Sequence, residues 1–122
     1  MKSTRLRTLG KHGESIAAEY LKNKGYTILE TNWHSSYGEI DLVASQAGVI
    51  TFIEVKTRAS KSFGPPEVSI TPRKLEHMRN SAEYYMAEHP GITNEWRIDA
   101  IAIQLQTGNL PPLIEHFENV VS

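Results

Sequence analysis

An α/β fold is what this sequence predicts, on three observations. Residues 37–45 alternate like a strand and run through a short connection into a β-branched stretch over 49–57; a helical stripe precedes them over 10–24; and Thr71-Pro72 opens a second helix behind them.

In the first helix, Ala17, Ala18 and Leu21 lie at i+3, i+4 and i+7 from Glu14, the spacing of one helical face, and Gly25 supplies a stop. Glu14 therefore shares the core-facing stripe. An acid in a first turn complements the helix dipole by about 0.3–1 kcal/mol, and it is equally placed to act as a ligand. Residues 26–33 follow as a first or edge strand, with Trp33 a core residue. Along 37–45, Ile40, Leu42 and Ala44 fall on one face and Glu39, Asp41 and Val43 on the other. Residues 49–57 are almost continuously apolar or β-branched, as in a central strand covered on both sides. There Glu54 and Lys56 share a face, with Ile50 and Phe52 further back along it.

The connection Gln46-Ala47-Gly48 controls the register of these two strands. A two-residue loop (Ala47-Gly48), or a four-residue one over 46–49, brings Asp41 opposite Glu54 and Glu39 opposite Lys56. A three-residue loop sends Asp41 to the far face unless a bulge restores the phase. Directly opposed Cβ atoms are about 5 Å apart. Two ionised carboxylates at that separation repel by roughly 3 kcal/mol at an effective dielectric near 20, whereas an exposed salt bridge returns about 0–1 kcal/mol. One lysine offsets such acids poorly; a divalent cation offsets them readily. Glu-x-Lys is also a common cross-strand ion-pair pattern, but here it emerges from a core strand, and that setting favours a metal site.

The remainder reads as scaffold with a basic margin. Residues 58–66 form a loop carrying Arg58 and Lys61, placed to meet a substrate backbone. Thr71 is the N-cap and Pro72 the first residue of the second helix. Its apolar stripe is Leu75, Met78, Ala82, Tyr85 and Met86, while Arg73, Lys74 and His77 crowd its first turns. Positive charge there opposes the helix dipole and suits a phosphate. Residues 96–105 form a fourth strand, in which Arg97 and Asp99 share a face as a structural pair. Residues 113–117 form a short fifth strand. The five histidines have no ligand spacing and read as surface or internally satisfied groups.

A length of 122 residues suits one domain with one core. No cysteine is present, which excludes disulfides and thiolate zinc sites. Met1-Lys2-Ser3-Thr4-Arg5 lacks an apolar leader and no stretch is long enough to cross a membrane, so a cytoplasmic protein without a membrane partner is expected. Net charge is −1, which argues against indiscriminate nucleic-acid binding. Its distribution is uneven: residues 1–79 hold twelve Lys and Arg against eight Asp and Glu, residues 80–122 one against six. A basic side turned toward phosphates would produce that asymmetry.

Taken together, Asp41, Glu54-Val55-Lys56 on a helix–strand–hairpin background, and Glu14 on the first helix resemble the PD-(D/E)xK nucleases of the restriction-endonuclease-like fold. More closely, Gly13-Glu14, Asn32-Trp33, Gly38-Glu39-Ile40-Asp41-Leu42, Phe52-Ile53-Glu54-Val55-Lys56-Thr57-Arg58 and Phe63-Gly64 resemble the small bacterial YraN-type family, itself similar to archaeal Holliday-junction resolvases. The likeness runs from about residue 10 to residue 119. The chain departs from it at His34-Ser35-Ser36-Tyr37, where relatives often carry basic residues.

The resemblance implies a single nuclease-like domain over residues 1–122, built on a mixed central β-sheet flanked by helices. It implies a metal-dependent endonuclease acting on DNA, including branched or damaged DNA, and a homodimer, because a four-way junction offers two scissile strands. Glu14, Asp41, Glu54 and Lys56 are the expected catalytic residues. Asp41 and Glu54, with Glu14, are the expected ligands of Mg²⁺ or Mn²⁺, through hard carboxylate oxygens. Arg58, Lys61, Arg73 and Lys74 are the expected nucleic-acid contacts. An RNA endonuclease on the same fold and a nucleic-acid-binding module that does not cut are the alternatives.

Overall fold

The computed structural model describes residues 4–59, 70–92 and 95–120, residues 4–7 as backbone alone. Lys61 and the Phe63-Gly64 motif lie outside the described residues. The chain runs α1 (Thr4–Asn23), β1 (Thr27–Ser35), β2 (Gly38–Gln46), β3 (Val49–Arg58), α2 (Pro72–Glu88), β4 (Trp96–Gln104) and β5 (Leu113–Phe117). The strands form one sheet in the order β1-β2-β3-β4-β5, with β3 and β4 parallel and every other neighbouring pair antiparallel. This is a mixed sheet, and α2 is the crossover that a parallel pair requires.

Local chemistry explains the joints. Helix α1 ends in a Schellman motif: Tyr26 N–H donates to the Leu21 carbonyl and Gly25 N–H to the Lys22 carbonyl, each at 3.0 Å, with Gly25 at φ 93. Leu21 and Tyr26 then meet in the same core cluster, the apolar contact that accompanies this motif. The β2–β3 hairpin closes at Gln46↔Val49, leaving Ala47 (φ 53) and Gly48 (φ 80) as a two-residue loop with both φ values positive. Such a turn matches the twist of the flanking strands. At α2, the Thr71 hydroxyl accepts from Lys74 N–H at 3.1 Å and Pro72 opens the first turn.

Helix α1 starts six residues before the stretch expected from its apolar spacing, because Gly10 and Gly13 lie inside it rather than at its start. Glycine costs about 1 kcal/mol in a helix interior, and packing overrides that cost here. Gly13 is buried against β3, so close that a Cβ on it would lie 1.7 Å from Thr57 Oγ1.

Each helix covers one face of the sheet. Ala17, Leu21 and Tyr26 pack with Leu42, Ala44, Ile53, Ile101 and Ile103. Met78, Ala82 and Tyr85 of α2 pack with Ile40, Val43, Ile50, Phe52 and Ile98 on the other face. Ile40 is a correction to the alternation read from sequence: it lies on the α2 side with Val43, whereas Leu42 and Ala44 face α1. The phase of β2 changes at Asp41. Opposite it on β1, Asn32 has φ 49 between the paired positions Trp33↔Ile40 and Thr31↔Leu42, and pairing of β2 with β3 stops at Leu42↔Ile53.

No helix among the described residues is long and apolar enough to cross a membrane.

Candidate functional site

Where the β2–β3 ladder stops, a side chain takes over. Asp41 Oδ2 accepts the Val55 N–H at 2.8 Å, so a carboxylate satisfies a backbone donor that a strand partner would otherwise meet. The strands part there and open a cleft of about 330 Å³. Its walls are Leu9, Gly10 and Glu14 from α1, Glu39 and Asp41 from β2, Glu54, Val55, Lys56 and Thr57 from β3, and Lys74 from α2. Four carboxylates from α1, β2 and β3 thus face two ammonium groups from β3 and α2.

The two-residue loop is the register that sends Asp41 toward Glu54, and both line this cleft. Glu54 is buried, on the face that Ile50 and Phe52 fill further down the strand. Lys74 Nζ lies 3.3 Å from Glu54 Oε2. That ion pair lacks hydrogen-bond alignment: Oε2 is a buried oxygen without a hydrogen-bond donor. An acceptor in that state costs about 1–3 kcal/mol or more, and a hard cation would satisfy it.

Asp41 carries the electrostatic strain of the cleft. Burial, the nearby Glu54 carboxylate and Glu14 push its carboxyl up to about 7, against the opposing pull of the Val55 N–H and Lys74. Between about pH 4 and pH 7 the folded protein therefore keeps a proton that the unfolded chain has released. Stability from this group falls as pH rises through that window, by about 4 kcal/mol in all. Asp41→Asn keeps an oxygen acceptor for Val55 N–H and removes the charge. Its stability advantage over the parent protein is expected to open from near zero below about pH 4 to about 4 kcal/mol above about pH 7, read by urea unfolding without divalent metal. A pH-independent difference would contradict this account.

The other residues singled out from sequence are more dispersed. Arg58 ends β3 and its carbonyl accepts from Leu105 N–H at 2.9 Å; it is not part of the cleft wall. Arg73 is exposed in the first turn of α2, also outside the wall, whereas Lys74 reaches in. Glu39 is a cleft residue that sequence reasoning placed only as a partner for Lys56.

Among the described residues, the tightest metal-compatible trio is elsewhere: Asp99, His116 and Glu118 offer ligand atoms within 4.8 Å of one another. Glu14, Asp41 and Glu54 do not close together to that distance. The chemistry of the first trio nevertheless argues against a cation. Asp99 accepts from Arg97 Nε at 2.9 Å, from Asn119 N–H at 2.8 Å and from His116 Nε2 at 2.7 Å, and the His116 Nδ1 lies 3.2 Å from the Tyr20 hydroxyl. Burial opposes the Asp99 charge, but these donors outweigh it and hold the carboxyl below its ordinary range. A guanidinium already occupies the place of a metal. Asp99→Ala would leave Arg97 and His116 without this partner and is expected to destabilise the fold by about 3–5 kcal/mol in urea unfolding, with divalent-metal binding unchanged in the variant that remains folded. The Arg97–Asp99 pair was legible from their shared strand face; His116 was not, because it joins from β5.

Fold and site together define a mixed α/β protein with an acid-rich cleft where its central strands separate. The chain belongs to the Uncharacterised protein family UPF0102, whose model matches residues 13–103; this is the YraN-type family that the motifs resemble. The matched stretch includes every residue of the cleft wall except Leu9 and Gly10. A UPF0102 protein of Syntrophomonas wolfei is 45% identical over 102 residues, covering 84% of this chain and 89% of the relative. One from Neisseria meningitidis serogroup C is 40% identical over 111 residues (91% and 92%), and one from Nocardia farcinica 38% over 112 residues (92% and 87%).

Proposed function

We propose that this protein is a metal-dependent endonuclease on a restriction-endonuclease-like core, hydrolysing phosphodiester bonds in DNA. The observation that carries the reading is the meeting of Asp41 and Glu54 in one cleft beside Lys56, with a buried Glu54 oxygen that no protein donor satisfies. Asp41 and Glu54 would hold Mg²⁺ or Mn²⁺. Two carboxylates are enough, because Mg²⁺ keeps several waters and draws further oxygens from a phosphate. Bound there, the cation would acidify a water and neutralise charge building on the scissile phosphate.

The remaining work falls to the chain itself. Lys56, two residues beyond Glu54 on the same strand face, supplies a positive charge to orient the attacking water and stabilise the anion that forms. Lys74, now against Glu54, would be free to meet a phosphate oxygen with Glu54 holding the cation. Arg73 adds charge in the first turn of α2, which contains no acid. Glu14 completes the acidic wall.

Labelled branched, single-stranded and double-stranded DNA, and matching RNA, incubated with Mg²⁺ or Mn²⁺ test the reading. Metal-dependent cleavage, with DNA cut in preference to RNA, is expected. A non-cleaving binding module is the second reading, favoured by one contact: Lys74 already gives Glu54 a cation. Calorimetry separates the two. Salt-sensitive DNA binding with no uptake of Mg²⁺ or Mn²⁺ would support the module.

A further inference from the structure

We infer that an unpaired nucleic-acid strand leaves the cleft beside α2 and stacks separate bases on Tyr37 and Tyr84, whose rings are inclined at 57°; this rests on the nucleic-acid reading proposed above and names its substrate class. Lys74, His77, Ser81 and Tyr84 are spaced three, four and three residues apart, which sets them in a row along the helix. The β1–β2 turn lies over that row at Ser81, which is buried, so the open path runs from Lys74 and His77 across the turn to Tyr84. A Cβ on Gly38 would meet His77 Cβ at 3.9 Å and Ser81 Oγ at 4.0 Å, the Ser35 and Ser81 hydroxyls are 3.3 Å apart, and the Tyr37 ring centroid is 6.0 Å from that of Tyr84. The row begins at the cleft, where Lys74 touches Glu54, and ends ten residues later, about 15 Å along the helix.

Packing does not explain Tyr37, and it explains Tyr84 only in part, through a ring contact with Trp33 at 6.2 Å. Tyr37 is 47% and Tyr84 41% exposed, while the core below them is already closed by Trp33 set edge-on against buried Tyr85. Tyr37 occupies a hairpin turn, where an aromatic ring contributes nothing to turn formation. Its position is fixed all the same: Ser35 Oγ accepts from Tyr37 N–H at 3.1 Å and donates to the Gly38 carbonyl at 3.3 Å. Exposed rings held on a rigid support next to a phosphate-binding cleft are what base stacking requires, and a base offers its face only when it is unpaired or flipped out. Charge does not supply the affinity at this end, because the Tyr84 hydroxyl is bonded to Glu88. The rings must supply it.

The test uses fluorescence anisotropy of a fluorescein-labelled oligothymidine about twelve nucleotides long, without divalent metal, against relaxed covalently closed plasmid as competitor. The intact protein is expected to prefer the oligonucleotide per nucleotide. Tyr37→Ala and Tyr84→Ala should each weaken that binding about tenfold, and Tyr37→Phe and Tyr84→Phe should stay within about twofold of the parent. Should Tyr84→Ala unfold through its contact with Trp33, Tyr37→Ala carries the test alone. Alanine variants that bind like the parent, a preference for plasmid, or no binding to either probe would each overturn the inference. Cleavage assays on the same proteins keep the two readings apart. Cleavage with tyrosine-independent oligonucleotide binding retires the stacking platform only; tyrosine-dependent binding without cleavage retires the nuclease only.

Discussion

Glu54→Gln is expected to lower the single-turnover rate of DNA cleavage at saturating Mg²⁺ by about 10³-fold or more, and Lys56→Ala by about 10²–10³-fold. Glutamine keeps the length of the side chain and both of its polar positions, so packing around Ile53 and Val55 is preserved. What it removes is the charge that would hold a divalent ion. Lys56 is exposed, so its truncation costs little stability, and any lost rate reports on chemistry. Melting temperatures measured alongside keep unfolding out of the comparison. The two variants also separate roles: Glu54→Gln should abolish calorimetric Mn²⁺ binding, while Lys56→Ala should retain it. Cleavage at the parent rate in both would remove the basis of the nuclease assignment.

Among the described glycines, Gly13→Ala is expected to be the most damaging for want of space. The added Cβ would stand 1.7 Å from Thr57 Oγ1, 2.8 Å from Thr57 Cβ and 2.9 Å from Thr57 Cγ2. Rotating Thr57 about χ1 moves the hydroxyl and methyl but leaves its Cβ too close, so α1 itself must move away from β3. Overpacking of a well-filled core costs about 1–3 kcal/mol, and a clash that displaces a helix lies at or above the upper end. Urea unfolding should show that loss, despite alanine being the better helix former. Glu14 is the next residue and Thr57 lines the cleft, so cleavage should fall in parallel even in the fraction that remains folded. Thr57→Gly in the same chain is expected to restore part of both.

Much of the architecture could be read from residue order because its causes are local. Period-two alternation, the Gly25 stop, the Thr71-Pro72 start and the Ala47-Gly48 turn act within a few residues, and α1, β2, β3 and α2 end or begin close to where those signals lie. The starting residue of α1 was missed because two glycines look like helix breakers until a neighbouring strand is known to need their bareness. Ile40 was assigned to the wrong face because strict alternation assumes an unbroken ladder, and the ladder breaks at Asp41. Lys74 stood out as a cation in a helix start, but that it meets Glu54 depends on the β3–α2–β4 crossover.

The sequence by itself determined the mixed helix and strand order and the residue types able to hold a cation and a phosphate, while leaving the loop length that phases Asp41 with Glu54 open. Only the tertiary structure decided that β2 and β3 separate beside those carboxylates, that one buried oxygen of Glu54 is left without a donor, and that Tyr84 comes to rest against Tyr37. The division has one physical reason. Backbone preferences are settled by neighbours along the chain, whereas burial and charge depend on segments that meet only after folding.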